Sequence, residues 1–187
     1  MHDAGRFIVI TGGPGSGKTS LIDGLEAAGF AGTVEAGRAV IQEQLASGGD
    51  ALPWKDQAAF AQMMLERDIQ SYEAAAKQAG PVFFDRGIPD VIGYLRLSGL
   101  PVPTHMMKAA EDFRYHRRVL IAPPWREIYA QDAERKQDFD EAQRTYDAMV
   151  KVYTGLGYEL VGLPRVSVKE RVGFVIDTAL SDRHARP

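Results

Sequence analysis

The feature that most constrains the fold of this 187-residue chain is a glycine-rich segment close to its start. Residues 12–19 read GGPGSGKT and match the phosphate-loop pattern G-x-x-x-x-G-K-[ST] at every fixed position. The short, apolar, β-branched run Phe7–Ile10 precedes the loop, and the apolar spacing of residues 20–28 predicts a helix behind it. A strand, a phosphate loop and a helix in this order predict a nucleotide-binding α/β domain.

The residue types of this loop indicate how it would hold a polyphosphate. Backbone N–H groups must turn inward, and glycine leaves room for the phosphate oxygens. We predict that Lys18 reaches the β- and γ-phosphates of ATP and that Thr19 places its hydroxyl on Mg²⁺, at the positive end of the helix. The predicted nucleotide-binding residues are Gly12, Gly13, Pro14, Gly15, Ser16, Gly17, Lys18, Thr19 and Ser20. The spacing does not fit the dinucleotide pattern G-x-G-x-x-G.

Composition narrows the class of protein. The length and a hydrophobic content of 45% predict one domain over residues 1–187. A net charge of −3 argues against a nucleic-acid partner, and the absence of cysteine excludes disulfides and thiolate chemistry. With neither a signal peptide nor a membrane-length apolar run, we expect a cytoplasmic protein and no membrane partner. An oligomer is possible, and the sequence leaves that state open.

Strand-like and helix-like segments alternate along the whole chain, which predicts a parallel sheet with helices on both faces. We predict strands at residues 7–10, 33–36, 81–87, 118–122 and 158–164. We predict helices at residues 20–28, 39–45, 53–80, 89–97, 104–115, 139–156 and 168–180. The helices within residues 38–80 would form an acceptor-side region, and the charged residues 125–138 would form a mobile lid.

Charged residues follow several predicted strands, and open α/β sheets bind ligands at the carboxyl edge of their strands. Glu35 and Arg38 follow the second strand, and the pair Asp85-Arg86 ends the third. We predict that Glu35, Arg38 and Arg86 bind the substrate and that Asp85 joins Thr19 as a metal ligand. Glu35 and Asp85 both remain candidates for the base that accepts the proton of the phosphoryl acceptor.

Two arginines of the charged segment are candidates for closing over the nucleotide. A guanidinium group can stack on a base as well as bind phosphate oxygens. We therefore predict that Arg126 and Arg135 contact ATP, and that Arg135 also takes part in catalysis together with Lys18, Glu35, Asp85 and Arg86. The four histidines have no metal-ligand spacing.

Short motifs across nearly the whole chain carry a family resemblance. They are the phosphate loop, VEAGR at residues 34–38, FDRG at residues 84–87, Arg135, and LGYEL at residues 156–160. With these motifs the chain resembles the small AAA-domain, predicted-ATPase family of P-loop proteins. That family is similar to the kinase domain of the bifunctional nicotinamide riboside kinase regulators and to deoxynucleoside and nucleoside monophosphate kinases.

The resemblance implies a five-stranded parallel sheet of order 2-3-1-4-5, with ATP and Mg²⁺ as cofactors. It also implies that Glu35 acts as the base and that Arg135 is the lid arginine. The sequence departs from deoxynucleoside kinases at Asp85, where those proteins usually carry glutamate. No substrate-base signature is recognisable in residues 38–80, so the acceptor remains unidentified.

Three function classes follow from these observations. The leading one is a small-molecule kinase with a nucleoside-like acceptor, and the alternative is an ATPase or nucleotide switch that regulates a protein partner. A third class, a non-catalytic ATP-binding module, is disfavoured by Lys18 and the candidate Mg²⁺ ligands. A ring-forming motor is disfavoured because Asp85-Arg86 stands where such motors carry Asp-Glu. The chain contains no asparagine, which excludes guanine recognition through an Asn-Lys-x-Asp motif.

Overall fold

A computed structural model describes residues 4–129 and 139–180 of the chain. Five strands form one parallel sheet in the order β2-β3-β1-β4-β5. They are β1 (Phe7–Gly12), β2 (Ala31–Gly32), β3 (Val82–Asp85), β4 (Arg118–Ala122) and β5 (Glu159–Gly162). The helices are α1 (Lys18–Ala27), α2 (Ala36–Ser47), α3 (Gln57–Ala76), α4 (Ile88–Leu97), α5 (Thr104–Asp112), α6 (Arg126–Tyr129), α7 (Phe139–Gly155) and α8 (Val168–Leu180). This confirms the predicted α/β class and strand order.

Two apolar layers cover the sheet, one on each face. Strand β1 is buried along its whole length, as expected for the central strand of a parallel sheet. Its residues Phe7 and Val9 pack toward α3, α4, α5 and α7, while Ile8 and Ile10 pack toward α1 and α8. The alternation of side chains along β1 therefore joins both layers into one core.

The second strand is shorter and earlier than predicted. We predicted a strand over residues 33–36, whereas β2 covers Ala31–Gly32 and pairs with Val82 and Phe83 of β3. Val34 is 72% exposed, so its β-branched side chain is not part of a buried strand. Glu35 is consequently the N-cap residue of α2 rather than the end of a strand.

Several helix boundaries also differ from those predicted. Helix α3 begins at Gln57 rather than at residue 53, because Asp56 caps it by accepting a 2.9 Å hydrogen bond from the N–H of Ala59. Helix α2 begins three residues earlier than predicted, and α5 ends at Asp112. Of the predicted lid, residues 126–129 form α6, and residues 130–138 lie outside the described residues. Among the described helices, none is both long and apolar enough to cross a membrane.

Candidate active site

The phosphate loop connects β1 to α1 and is packed too tightly for side chains at its first two glycines. A Cβ atom on Gly12 would lie 2.4 Å from the carbonyl oxygen of Ala122, and one on Gly13 would lie 2.5 Å from that of Ala142. Gly12 and Gly17 also have positive φ angles, a conformation that favours glycine. The loop is therefore fixed between β4 and the first turn of α7.

Lys18 is buried inside the loop, and its ammonium group binds the loop itself. Its Nζ atom donates to the carbonyl oxygens of Gly13, at 2.7 Å, and Gly12, at 3.3 Å, and lies 3.3 Å from Oγ of Ser16. Burial, together with the positive charge of Arg86, lowers the pKa of Lys18 to about 7. A bound polyphosphate would supply the negative charge that this cation lacks in the free protein.

Arg171 on α8 supports the loop from behind and was missed by sequence reasoning. Its side chain is 2% exposed, and its guanidinium group donates a 3.0 Å hydrogen bond to the carbonyl oxygen of Ser16. A side chain on Gly17 would come within 2.9 Å of the same guanidinium group. The only sequence signal was an arginine at an inward-facing position of the last helix, more than 150 residues from the loop.

On the other side of Lys18, Arg86 connects the end of β3 to two carboxylates. It donates to Oε1 of Glu35 at 3.0 Å, to Oδ1 of Asp90 at 3.1 Å and to the carbonyl oxygen of Gly12 at 3.0 Å. Burial opposes ionisation of Glu35, but Arg86 and Lys18 outweigh it and lower the pKa of that carboxyl group. The structure thus brings the predicted residues Glu35, Arg86 and Lys18 together.

The backbone of Arg86 is itself unusual. Its φ angle of 70° is the one positive value among the described non-glycine residues. A left-handed conformation costs such a residue about 1–2 kcal/mol. Backbone strain of this kind tends to persist at functional sites, where surrounding contacts hold it in place.

Asp90 is a second residue that sequence reasoning missed. Its Oδ1 atom accepts hydrogen bonds from Thr11 at 2.6 Å and from Arg86, and its Oδ2 atom accepts from Tyr153 at 2.6 Å and from the N–H of Gly87 at 3.1 Å. This carboxylate joins β1, the start of α4 and α7. It is a positioning residue that holds Arg86 toward Glu35.

Asp85 lies next to this network without joining it. Its Oδ1 atom is buried and has no hydrogen-bond partner. Burial raises the pKa of Asp85 to about 6, and the negative charge of Glu35 adds to that effect while Lys18 opposes it. An orphaned carboxylate oxygen next to Lys18 fits a role toward a cation that arrives with the nucleotide.

One cavity of about 1000 Å³ connects the phosphate loop to the acceptor side. Its lining includes Pro14 to Ser20 of the loop, Glu35 and Arg38 of the α2 start, and Arg86. The wall opposite the loop is formed by Phe60, Met64 and Asp68 of α3, Tyr94 of α4 and Met149 of α7.

Arg126 and Arg135 are the two arginines of the predicted lid. Arg126 lies outside the cavity lining, with its guanidinium group 4.2 Å from the ring centroid of Phe139. Arg135 lies outside the described residues. Arg144 on α7, which sequence reasoning did not single out, is an exposed cation on the cavity wall.

The residues present fit a Mg²⁺ ion of the kind that accompanies ATP. Such an ion is usually held by one or two protein oxygens together with substrate phosphates and water. Thr19 is exposed to the cavity, and Asp85 has a free buried oxygen. Within the described ranges, no group of three or more His, Asp or Glu residues is arranged to hold a metal ion on its own.

Comparisons with known proteins agree with this geometry. The family model described as an AAA domain matches residues 7–171, from the first residue of β1 to the arginine that supports the phosphate loop. No curated protein matches the sequence.

Solved structures of similar fold include several kinases. A NadR protein in complex with NR has a TM-score of 0.68 at 17% identity, covering 97% of this chain and 52% of that one. Deoxyadenosine kinase from M. mycoides has a TM-score of 0.62 at 14% identity, covering 94% and 99% of the two chains. Thymidylate kinase from Ehrlichia chaffeensis has a TM-score of 0.59 at 16% identity, covering 93% and 97%. The chain thus spans about half the length of the NadR protein.

Proposed function

The chain belongs to the AAA-domain family, and on that premise we propose that it is a Mg²⁺-dependent kinase that transfers the γ-phosphoryl group of ATP to a hydroxyl group of a nucleoside-like small molecule. One observation carries this proposal: a single cavity contains both the phosphate loop and the Glu35–Arg86 pair. A kinase needs two adjoining sites of this kind, because the acceptor must lie in line with the transferred group.

In the proposed reaction, the acceptor oxygen bonds to the γ-phosphorus as the bond from that phosphorus to the β–γ bridging oxygen breaks, and ADP leaves. The hydroxyl proton passes to a carboxylate. Glu35 is the first candidate because it lines the cavity, and Asp85 is the alternative because its pKa is closer to neutrality. Arg86 would orient Glu35 and the acceptor.

The remaining residues would neutralise charge on the nucleotide. Lys18 and the loop N–H groups would bind the phosphates, and Thr19 and Asp85 would hold Mg²⁺, with Asp85 acting through water. Arg126 and Arg135 are proposed to close over ATP, and Arg38 is proposed to contact the acceptor. The nucleoside-like acceptor is supported by the fold shared with the NadR protein in complex with NR and with deoxyadenosine kinase.

The test is to measure phosphoryl transfer directly. Purified protein is incubated with ATP, Mg²⁺ and a panel of nucleosides, nucleotides and sugars, and the phosphorylated product is identified by ³¹P NMR. We expect acceptor-dependent ADP formation that Lys18→Ala abolishes while the protein still folds, because Lys18 contacts the phosphate loop and not the apolar core. Lys55→Ala, which removes an exposed lysine, is the matched control.

Two results would contradict the proposal. Full turnover by Lys18→Ala would exclude the phosphate loop as the ATP site. ATP hydrolysis that no acceptor stimulates, with orthophosphate as the sole product, would replace the kinase by the ATPase alternative.

A further inference from the structure

The cavity contains a buried carboxyl group that the proposed phosphoryl transfer does not use. Asp68 on α3 is 5% exposed and lines the cavity wall. Among the described residues it has no hydrogen-bond or ion-pair partner. Burying a polar group without a partner costs about 1–3 kcal/mol, so a structural role would normally bring a partner with it.

The position of Asp68 on α3 places it in the wall of the cavity. Phe60, Met64 and Asp68 follow one another at four-residue spacing, so they lie along one face of α3. All three line the cavity, and the ring of Phe60 packs edge-on against that of Tyr94, with centroids 5.3 Å apart. Asp68 is thus the polar end of an otherwise apolar and aromatic wall.

The surroundings of Asp68 favour the neutral form of its carboxyl group. Burial, and then the negative charge of Asp90, raise the pKa of Asp68 well above its ordinary value. A protonated carboxyl group donates one hydrogen bond and accepts others. It can therefore recognise a neutral group that presents a donor and an acceptor side by side.

The charges at this end of the cavity also disfavour an anionic acceptor. The innermost cation, Arg86, is already paired with Glu35 and Asp90. Arg38 and Arg144 also line the cavity, but both side chains are exposed at its rim. A phosphate or carboxylate on the acceptor would meet the carboxylates of Glu35 and Asp90, whereas the buried cation Lys18 binds the carbonyl oxygens of the phosphate loop.

We propose that Asp68 is a specificity-determining residue whose carboxyl group binds the ring of an acceptor carrying no phosphate or carboxylate. This inference rests on the proposed kinase function and deepens it. The acceptor ring would pack on Phe60 and Met64, its donor–acceptor edge would bind Asp68, and its hydroxyl group would reach Glu35.

The experiment uses matched pairs of acceptors and two substitutions. Ribo- and deoxyribonucleosides are each compared with their own 5′-monophosphates, and the full-length protein is assayed for acceptor-dependent ADP formation. We expect stimulation by phosphate-free members of the pairs. Asp68→Leu should raise the acceptor KM about tenfold, by the loss of hydrogen bonds to a neutral group, and should leave ATP affinity unchanged.

Two further measurements separate a role of Asp68 in acceptor binding from a role in stabilising the fold. Asp68→Leu should raise the thermal midpoint, because it replaces an unpartnered buried polar group by an apolar one. Asp68→Asn should keep the acceptor KM within about threefold of the wild-type value, because the amide also offers a donor and an acceptor. Asp112→Asn, at an exposed carboxylate of α5, is the control.

Several results would overturn the inference. These are stimulation by the monophosphates instead of the nucleosides, no stimulation by any phosphate-free acceptor, an unchanged acceptor KM in Asp68→Leu, and an Asp68→Asn protein as defective as Asp68→Leu. Phosphorylation of the monophosphates would leave the kinase function standing and refute only the inference about Asp68. The two failures are therefore distinguishable.

Discussion

The two halves of the cavity are built by different means. The nucleotide half is one continuous loop with the buried cation Lys18 inside it and the buried Arg171 behind it. The acceptor half consists of side chains from four separate elements, in which Arg86 is balanced by Glu35 and Asp90. A backbone cradle accepts any polyphosphate, whereas a network of paired side chains accepts only what fits its charges. We therefore expect ATP binding to depend mainly on the phosphate loop, and acceptor choice on the packing of separate elements.

The largest expected effect tests whether chemistry on the acceptor side can be lost while nucleotide binding survives. Glu35→Gln keeps the size of the side chain but removes its basicity, and we expect acceptor-dependent turnover to fall about 10²–10⁴-fold. ATP affinity, measured by calorimetry, should stay unchanged. Glu66→Gln, at an exposed position of α3, is the control. A Glu35→Gln protein with full acceptor-dependent activity would leave Asp85 as the base.

The next effect concerns Asp85, the last residue of β3 and the chain neighbour of Arg86. Asp85→Asn should lower Mg²⁺-dependent activity about 10²-fold, while ATP affinity changes only modestly, because the lost charge acts mainly through the metal. Unchanged activity and metal dependence would show that Asp85 is not a metal ligand.

The same variant has an expected effect on stability. Because the folded-state pKa of Asp85 is raised to about 6, its stabilising effect is complete below the unfolded pKa and is lost as the pH rises through about 6. Asp85→Asn should therefore raise the thermal midpoint more at pH 8 than at pH 5. An equal change at both pH values would contradict the burial of this charge.

A smaller effect is expected for the arginines Arg135 and Arg144. Arg135→Ala should lower kcat about tenfold and raise the KM for ATP by less, because a lid arginine meets the phosphates mainly when the site is closed. Arg144→Ala tests whether the exposed arginine of α7 shares this task, and Arg96→Ala is the surface control. If neither substitution changes kcat, closure does not depend on these arginines.

The smallest expected effect is the uptake of a proton by Lys18 when ATP binds. Since the pKa of Lys18 in the free protein is about 7, most of this lysine is uncharged at pH 8.5, and ATP binding should restore its charge. Calorimetry in buffers of different ionisation enthalpy should detect uptake of nearly one proton at pH 8.5 and none at pH 6. Lys55→Ala should behave like the wild type. Equal uptake at both pH values would contradict a lowered pKa for Lys18.

The sequence was sufficient for the phosphate loop and the α/β class, and the order of the sheet followed from the family resemblance. Eight consecutive residues identify the phosphate loop and alternating apolar segments identify the strands, although the folded loop is also held by Ala142 and Arg171. The second strand was placed wrongly because Val34 looks like a strand residue but is exposed. Its two-residue pairing with β3 is imposed by the neighbouring strand rather than by local preference.

The acceptor half could be predicted only in part. Glu35 and Arg86 stood out because each was predicted at the end of a strand, but Arg86 is also held by Asp90, whose partners Thr11 and Tyr153 lie 79 and 63 residues away in the chain. The sequence signal for Asp68 is an acidic residue at an inward-facing position of the amphipathic helix α3. It was overlooked because the other inward positions of that helix are apolar. Arg171 has almost no sequence signal, since its contact with the phosphate loop joins residues 155 positions apart in the chain.

The position of Asp90 also has a consequence for synthesis of the chain. Thr11, Arg86 and Gly87 leave the ribosome before or near Asp90, but Tyr153 follows 63 residues later. Until α7 has emerged and docked, one oxygen of this buried carboxylate lacks its hydroxyl donor, and Gly13 lacks the helix that packs over it. A nascent chain that already carries the complete phosphate loop therefore cannot yet hold it in the native shape. We expect ATP binding to arise only after α7 has packed over the loop.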